Sequence, residues 1–260
     1  IFIELIGWHI IIARNIIRIL SEHHLNFLCD NMRVVPRSVT VHLLRHSQAT
    51  HNVKAEPMRE AGCSFQEFLD QMAADDELDS RLTTKGEADA VALGERLRSS
   101  GHPATQADVI ISSPLSRALK TADLALPGIS KRIVREEWRE ISGLLLNAKR
   151  LSRSTLAKEH PHWCFSGLED DGDVYFDPNN LEDTSVCAER AYKGLAYILE
   201  EFHEKEVVVS CHGGILNYLF SHPLIHSGEG VSERFDNCEM RSVNLEEMEG
   251  GGGVHISLSK

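Results

Sequence analysis

Three stretches of the chain join a short apolar run to groups able to handle an anion. Val39-Thr-Val-His-Leu-Leu44 runs into Arg45 and His46. Asp108-Val-Ile-Ile-Ser112 runs into Ser113-Pro-Leu-Ser-Arg117, and Glu206-Val-Val-Val-Ser-Cys211 into His212-Gly-Gly214. A guanidinium offers a fixed fork of donors matched to phosphate or carboxylate. An imidazole can act as nucleophile, base or metal ligand. Arg117 falls in the first turn of a predicted helix, where free N–H groups favour negative charge. Glycines at 213 and 214 allow the backbone to approach a ligand closely. Two arginines and two histidines, with no carboxylates or thiolates at metal-ligand spacing, point to an oxyanion rather than a metal. Phosphoryl transfer needs such a set: an in-line nucleophile, donors for the equatorial oxygens and an acid for the departing oxygen.

These residues must be positioned by an open α/β sheet, in which ligands bind beyond the carboxyl ends of the strands. The β-branched run before Arg45 reads as a buried strand, and the runs before Ser113 and His212 read the same way. Between them lie helical signals. Ser64-Phe-Gln-Glu67 is a capping box ahead of Phe68, Leu69 and Met72, and Thr84 with Glu87 predicts a second cap before a helix that Gly101 ends. Pro114 after Ser113 predicts a helix start there. Ile133 and Val134 suggest a strand, Thr155–Glu159 a helix stopped by Pro161, and Thr184 or Ser185 opens a helix to about His203. Phe235–Ser242 reads as a loop, Val243–Leu245 as a strand, and the glycines at 250–253 as a turn before His255–Leu258. The fold class expected is a three-layer α/β sandwich with a mostly parallel central sheet flanked by helices.

Composition narrows the class. Of 260 residues, 42% are hydrophobic and 25% charged, the profile of a globular protein with a sizeable core. A formal net charge of -12 argues against nucleic-acid partners and against anionic membranes, which would repel the chain. The six cysteines show no C-x-x-C spacing, so free thiols and a reduced, cytoplasmic setting are expected. The apolar run Ile1–Leu20 carries Glu4, Arg14 and Arg18 and lacks the basic start and cleavage site of a signal peptide. Residues 1–37 are therefore read as an extension of unassigned role, with residues 38–260 as one domain. Residues 144–183 show little regular pattern and place Trp163, Phe165, Tyr175 and Phe176 among acidic residues, which suggests a folded cap over a pocket. The acidic run Asp75–Asp79 is expected to be solvated.

Leu44-Arg-His-Ser-Gln-Ala-Thr-His-Asn52 resembles the signature of the histidine phosphatase superfamily, also called phosphoglycerate mutase-like. Leu82-Thr-Thr-Lys-Gly86, Ser112–Ala122 and Ser210-Cys-His-Gly-Gly214 match its later motifs in order, and Phe235–Ser242 is closest in pattern to plant and fungal phosphoglycerate mutase-like proteins. The resemblance implies that His46 becomes phosphorylated, and that Arg45, Arg117 and His212 grip the phosphoryl oxygens with Asn52 and Gly213 lining the pocket. It places the proton donor at Glu140, with Glu136 and Glu137 as rivals. It further implies a metal-independent phosphomonoesterase acting on a small phosphorylated metabolite, with no cofactor. Phosphoglycerate mutase-type transfer and a catalytically idle binding protein of the same fold are the alternatives. Ser47 replaces the usual glycine of the motif, and the Gly-Trp segment of true mutases is missing after Asn52, which weakens the mutase reading.

Overall fold

The computed structural model describes residues 37–74, 77–203 and 205–259. The extension predicted at 1–37 therefore lies, except for Arg37, outside the described residues. Seven strands form one sheet: β1 (Ser38–Arg45), β2 (Val109–Ser112), β3 (Arg132–Val134), β4 (Glu206–Cys211), β5 (Ile225–Ser227), β6 (Met240–Glu247) and β7 (Val254–Leu258). Their order is β3-β2-β4-β1-β6-β7-β5. The first four are mutually parallel, β6 runs antiparallel to both β1 and β7, and β5 is parallel to β7.

Seven helices are described: α1 (Asn52–Glu60), α2 (Phe65–Ala73), α3 (Thr84–Ser99), α4 (Ser116–Ala125), α5 (Arg153–Glu159), α6 (Thr184–Glu201) and α7 (Gly213–Leu219). Alternation along the strands makes the three layers. Val41, Leu43, Val207 and Val209 pack with Leu195 and Ile198 of α6 and Leu216 of α7. Leu44, Ile110 and Val208 pack on the other face with Leu93 of α3 and Leu119 of α4. Both faces of the central strands are covered, which is why their sequences are nearly continuous apolar runs.

Local chemistry departs from expectation at two helix starts. Thr83, not Thr84, caps α3, its Oγ1 accepting from the Gly86 amide at 2.9 Å. A Thr-Thr pair offers two candidates, and only Thr83 has the extended backbone a cap requires. At the other start, α4 begins at Ser116 rather than beside Pro114, and its N-cap residue Leu115 supplies no side-chain cap. Asp79 supplies the acceptors from elsewhere in the chain, taking the Ser116 amide at 2.9 Å and the Ser116 hydroxyl at 2.6 Å. Asp79 is fully buried, so the run predicted to be solvated ends in a structural carboxylate. The capping box of α2 forms as read, with Ser64 and Glu67 exchanging bonds at 2.8 and 3.2 Å.

Residues 144–183 are held by buried ion pairs rather than by an aromatic roof. Arg139 binds Asp173 at 2.7 and 2.8 Å, and Arg150 binds Glu136 at 2.8 Å and the carbonyls of Asp170, Asp171 and Gly172. Trp163 and Phe165 sink into the core cluster beside α3 and α4, while Tyr175 stays exposed.

Candidate active site

Strand register lays the three motifs side by side. Arg45 pairs with Cys211, and Ser112 with Ser210. One further bond on each side continues the ladder, from the His46 amide to the Cys211 carbonyl and from the Ser113 amide to the Ser210 carbonyl, each at 2.9 Å. His46, Ser113 and His212 thus stand abreast just past the strand ends, where an open parallel sheet makes its crevice.

The two imidazoles face each other with ring centroids 5.0 Å apart. His46 is buried, and its Nδ1–H donates to the Ser47 carbonyl at 2.7 Å. A carbonyl can only accept, so this bond fixes the proton on Nδ1 and leaves the lone pair on Nε2. Burial pushes the His46 pKa well below that of a free imidazole, and the charges of Arg117 and Arg45 push it further. The ring is therefore neutral and nucleophilic near neutral pH. His212 is held by Ser113, whose Oγ lies 2.7 Å from its Nε2. Burial and the Arg117 charge likewise keep His212 neutral.

Both arginines are buried at the same place. Arg45 gives one nitrogen to the Phe235 carbonyl at 2.7 Å and another to Glu56. Arg117 donates to the Asn147 carbonyl at 2.6 Å, and burial lowers its pKa only to about 10, so it stays charged. Three buried donors around the histidines have no partner among the described residues: Arg45 Nε, Arg117 Nε and His212 Nδ1. Unpaired buried donors are costly and uncommon, and three together mark a place suited to an oxyanion. The Ser116 amide, expected to be free for that anion, is instead taken by Asp79, so side chains rather than the start of α4 supply the donors.

Glu140 reaches the crevice from the segment after β3. Its Oε1 accepts from the amides of Ile141 and Ile215 at 2.9 Å, and its Oε2 from that of Gly214 at 3.1 Å. A Cβ at Gly214 would stand 2.3 Å from Glu140 Oε1, and one at Gly213 would stand 3.1 Å from Arg45 Nε. The two glycines are there because the carboxylate and the guanidinium lie against them. The rival carboxylates are engaged elsewhere, Glu136 with Arg150 and Arg139, Glu137 with Arg135.

A cavity of about 420 Å³ joins these groups. Arg45, His46, Asn52, Arg117, Glu140 and Gly213 all line it, and His212 stands behind His46 with its ring centroid 5.0 Å away. Arg45, His46, Asn52, Arg117, Glu140, His212 and Gly213 are thus brought together, while the rivals Glu136 and Glu137 lie elsewhere. Several lining residues were not anticipated. His51 sits 5.8 Å from His46 between ring centroids and bonds Ser80 at 2.5 Å. Glu56, which ties Arg45 to Arg234, and Arg59 follow Asn52 at helical intervals, so the spacing 52, 56, 59 was a readable signal that one face of α1 lines the site. Asn147 sits in an irregular segment and carried no sequence signal. No cluster of metal-holding geometry occurs among the described residues, and no described helix is long and apolar enough to cross a membrane. The five described cysteines are free thiols.

Comparison with known proteins bears on the family and the fold. Residues 41–254 match the histidine phosphatase superfamily (branch 1). The chain is 28% identical over 243 residues to phosphoglycerate mutase-like protein 1 of Arabidopsis thaliana, covering 80% of this chain and 81% of that one. Among solved structures, a mycobacterial hydrolase superposes with a TM-score of 0.53 at 22% identity, over 86% of this chain and 90% of its own. A mycobacterial glucosyl-3-phosphoglycerate phosphatase gives 0.50 at 21% identity, over 86% and 98%. At such identities the structural likeness speaks for the fold.

Proposed function

The chain belongs to the histidine phosphatase superfamily, and from that premise we propose that it is a metal-independent phosphomonoesterase working through a phosphohistidine at His46. The observation that carries this reading is the neutral His46 ring with its Nδ1 proton tied to Ser47, set among three unpartnered donors. A tetrahedral dianion would meet Arg45, Arg117 and His212 with its oxygens and the Nε2 lone pair with its phosphorus.

In the first step a bond forms from His46 Nε2 to phosphorus while the bond to the ester oxygen breaks, and Glu140 transfers a proton to the departing oxygen. In the second, Glu140 takes a proton from water as the water oxygen bonds phosphorus and the N–P bond breaks. Phosphate and the original protonation of Glu140 result. The arginines stabilise the charge on the equatorial oxygens as it redistributes.

The test is hydrolysis of phenyl phosphate in the presence of a metal chelator. We expect turnover, reduced at least about 10³-fold in His46→Ala, with acid-labile label from ³²P-substrate on the wild type alone. Full activity in that variant would sink the mechanism. Product analysis with phosphoglycerate separates hydrolysis from mutase chemistry, since only a mutase forms the isomer faster than free phosphate.

A further inference from the structure

The cavity continues outward from the phosphoryl-binding end, and its outer half has a different character. Phe65, Phe68, Leu69 and Met72 line it from α2, together with Leu145 and Leu181. Met72 and Leu145 belong to a small cluster with Ala55 and Ala148 against which Phe68 and Leu69 pack, separate from the two cores that flank the sheet. Phe65 lies on the cavity wall and is 62% exposed, so it adds open apolar surface to the neighbouring Phe68, Leu69 and Met72.

Polar groups share the cavity wall with these side chains, and several are already engaged. Asn147 gives its amide to the Met72 carbonyl and its own carbonyl to Arg117. Asn52 accepts from the Ala49 amide. Glu56 is neutralised by Arg45 and Arg234. Arg59 lies at the wall with its guanidinium 4.9 Å from the centre of the Phe68 ring. Asn217 and Tyr218 complete the polar lining.

Resting on the phosphatase reading above, we infer that the substrate is the phosphate monoester of an aromatic or extended apolar alcohol, not of a sugar or sugar acid. A sugar phosphate carries a hydroxyl on almost every carbon, and each one taken from water needs a partner that the α2 wall does not offer. An apolar alcohol gains instead from covering the exposed face of Phe65 and its neighbours, and Arg59 stacked on Phe68 adds a positive rim that draws the phosphate inward.

The experiment compares kcat/KM of the full chain across methyl, butyl, octyl and decyl phosphate, phenyl and naphthyl phosphate, and glucose 6-phosphate, glycerol phosphate and 3-phosphoglycerate. Each added methylene raises kcat/KM about two- to fourfold until the cavity is filled. Naphthyl phosphate exceeds glucose 6-phosphate at least about 100-fold by the same area argument. Phe65→Ser, on an exposed position that folding tolerates, and Phe68→Ser lower the decyl-to-methyl ratio. A flat dependence on chain length with His46-dependent turnover overturns this inference and leaves the phosphatase reading intact. Preference for 3-phosphoglycerate, lost in Arg59→Ala, also overturns it, because Arg59 would then be reading a second anion. Absence of turnover on every ester removes both readings.

Discussion

Two groups of buried arginines in this molecule face opposite circumstances. Beneath residues 144–183, Arg139, Arg150 and Arg190 are matched to carboxylates and carbonyls: Asp173, Glu136 and Glu182, with the main chain of 170–172 and 136–140 taking further donors. Only Arg139 Nε there is left over. Past the strand ends, Arg117 makes a hydrogen bond to a single carbonyl, and Arg45 shares Glu56 with Arg234. The first group closes a structure; the second leaves positive charge only partly compensated in a crevice. Same side chain, opposite uses, and the difference lies in what surrounds the guanidinium.

That contrast can be broken by exchanging roles. Arg139→Met leaves Asp173 buried without its cation, while Glu136 keeps Arg150. Unfolding in urea should lose about 3–5 kcal/mol, while kcat per folded molecule changes little; equal stability would show that the network holds nothing. Arg117→Ala should do the reverse. Removing a donor to the transferring phosphoryl lowers kcat/KM by about 10²–10³-fold, and stability holds or rises because a poorly compensated buried charge is gone. A large loss of stability with normal turnover per folded molecule would merge the two groups into one.

Acid sharpens the comparison with a smaller effect. His46, His51 and His212 are held neutral by burial first and by the nearby arginines second. Their folded pKa values lie below the unfolded value, so below about pH 6.5 the unfolded chain takes up protons that the folded site refuses. Stability is therefore complete above pH 6.5 and falls as pH drops, by up to roughly 1.4 kcal/mol per pH unit for each such histidine. His42, inside β1 and lowered by burial to about 4, adds to the same window. For Asp173, burial is outweighed by the bonds and charge of Arg139, so its pKa is lowered and its contribution persists until pH falls below the ordinary carboxylate value of 3.8. Hydrogen exchange between pH 7 and 5 should loosen the loop after β1 before residues 144–183. Simultaneous loosening would contradict the assignment.

The strand-and-motif skeleton was legible because it rests on local rules. Buried parallel strands write themselves as apolar runs, and the polar residue that ends each run lies where the crevice forms. What escaped depended on contacts between distant parts of the chain. Asp79 looked like one more member of an acidic run, yet it caps a helix 37 residues away. The aromatics of 144–183 suggested a folded cap over a pocket; Leu145, Asn147, Ala148 and Leu181 of that segment do line the cavity, whereas Trp163 and Phe165 are core and α2 shares the apolar wall. The resemblance favoured Glu140 over Glu136 and Glu137, but which of the three faces the crevice depended on the amides and arginines near each. Pairing of that kind is a property of the folded arrangement and leaves no trace in spacing.

Gly214 carries a consequence for how chains like this one diverge. With the carboxylate of Glu140 seated where a side chain at 214 would begin, one added methyl group at that position would force that carboxylate to move. Outer-cavity residues can drift and retune what the protein accepts, but position 214 is a hereditary veto. On the phosphatase reading proposed above, a descendant that lost this glycine would keep its arginines and displace its acid, a short route from catalyst to receptor.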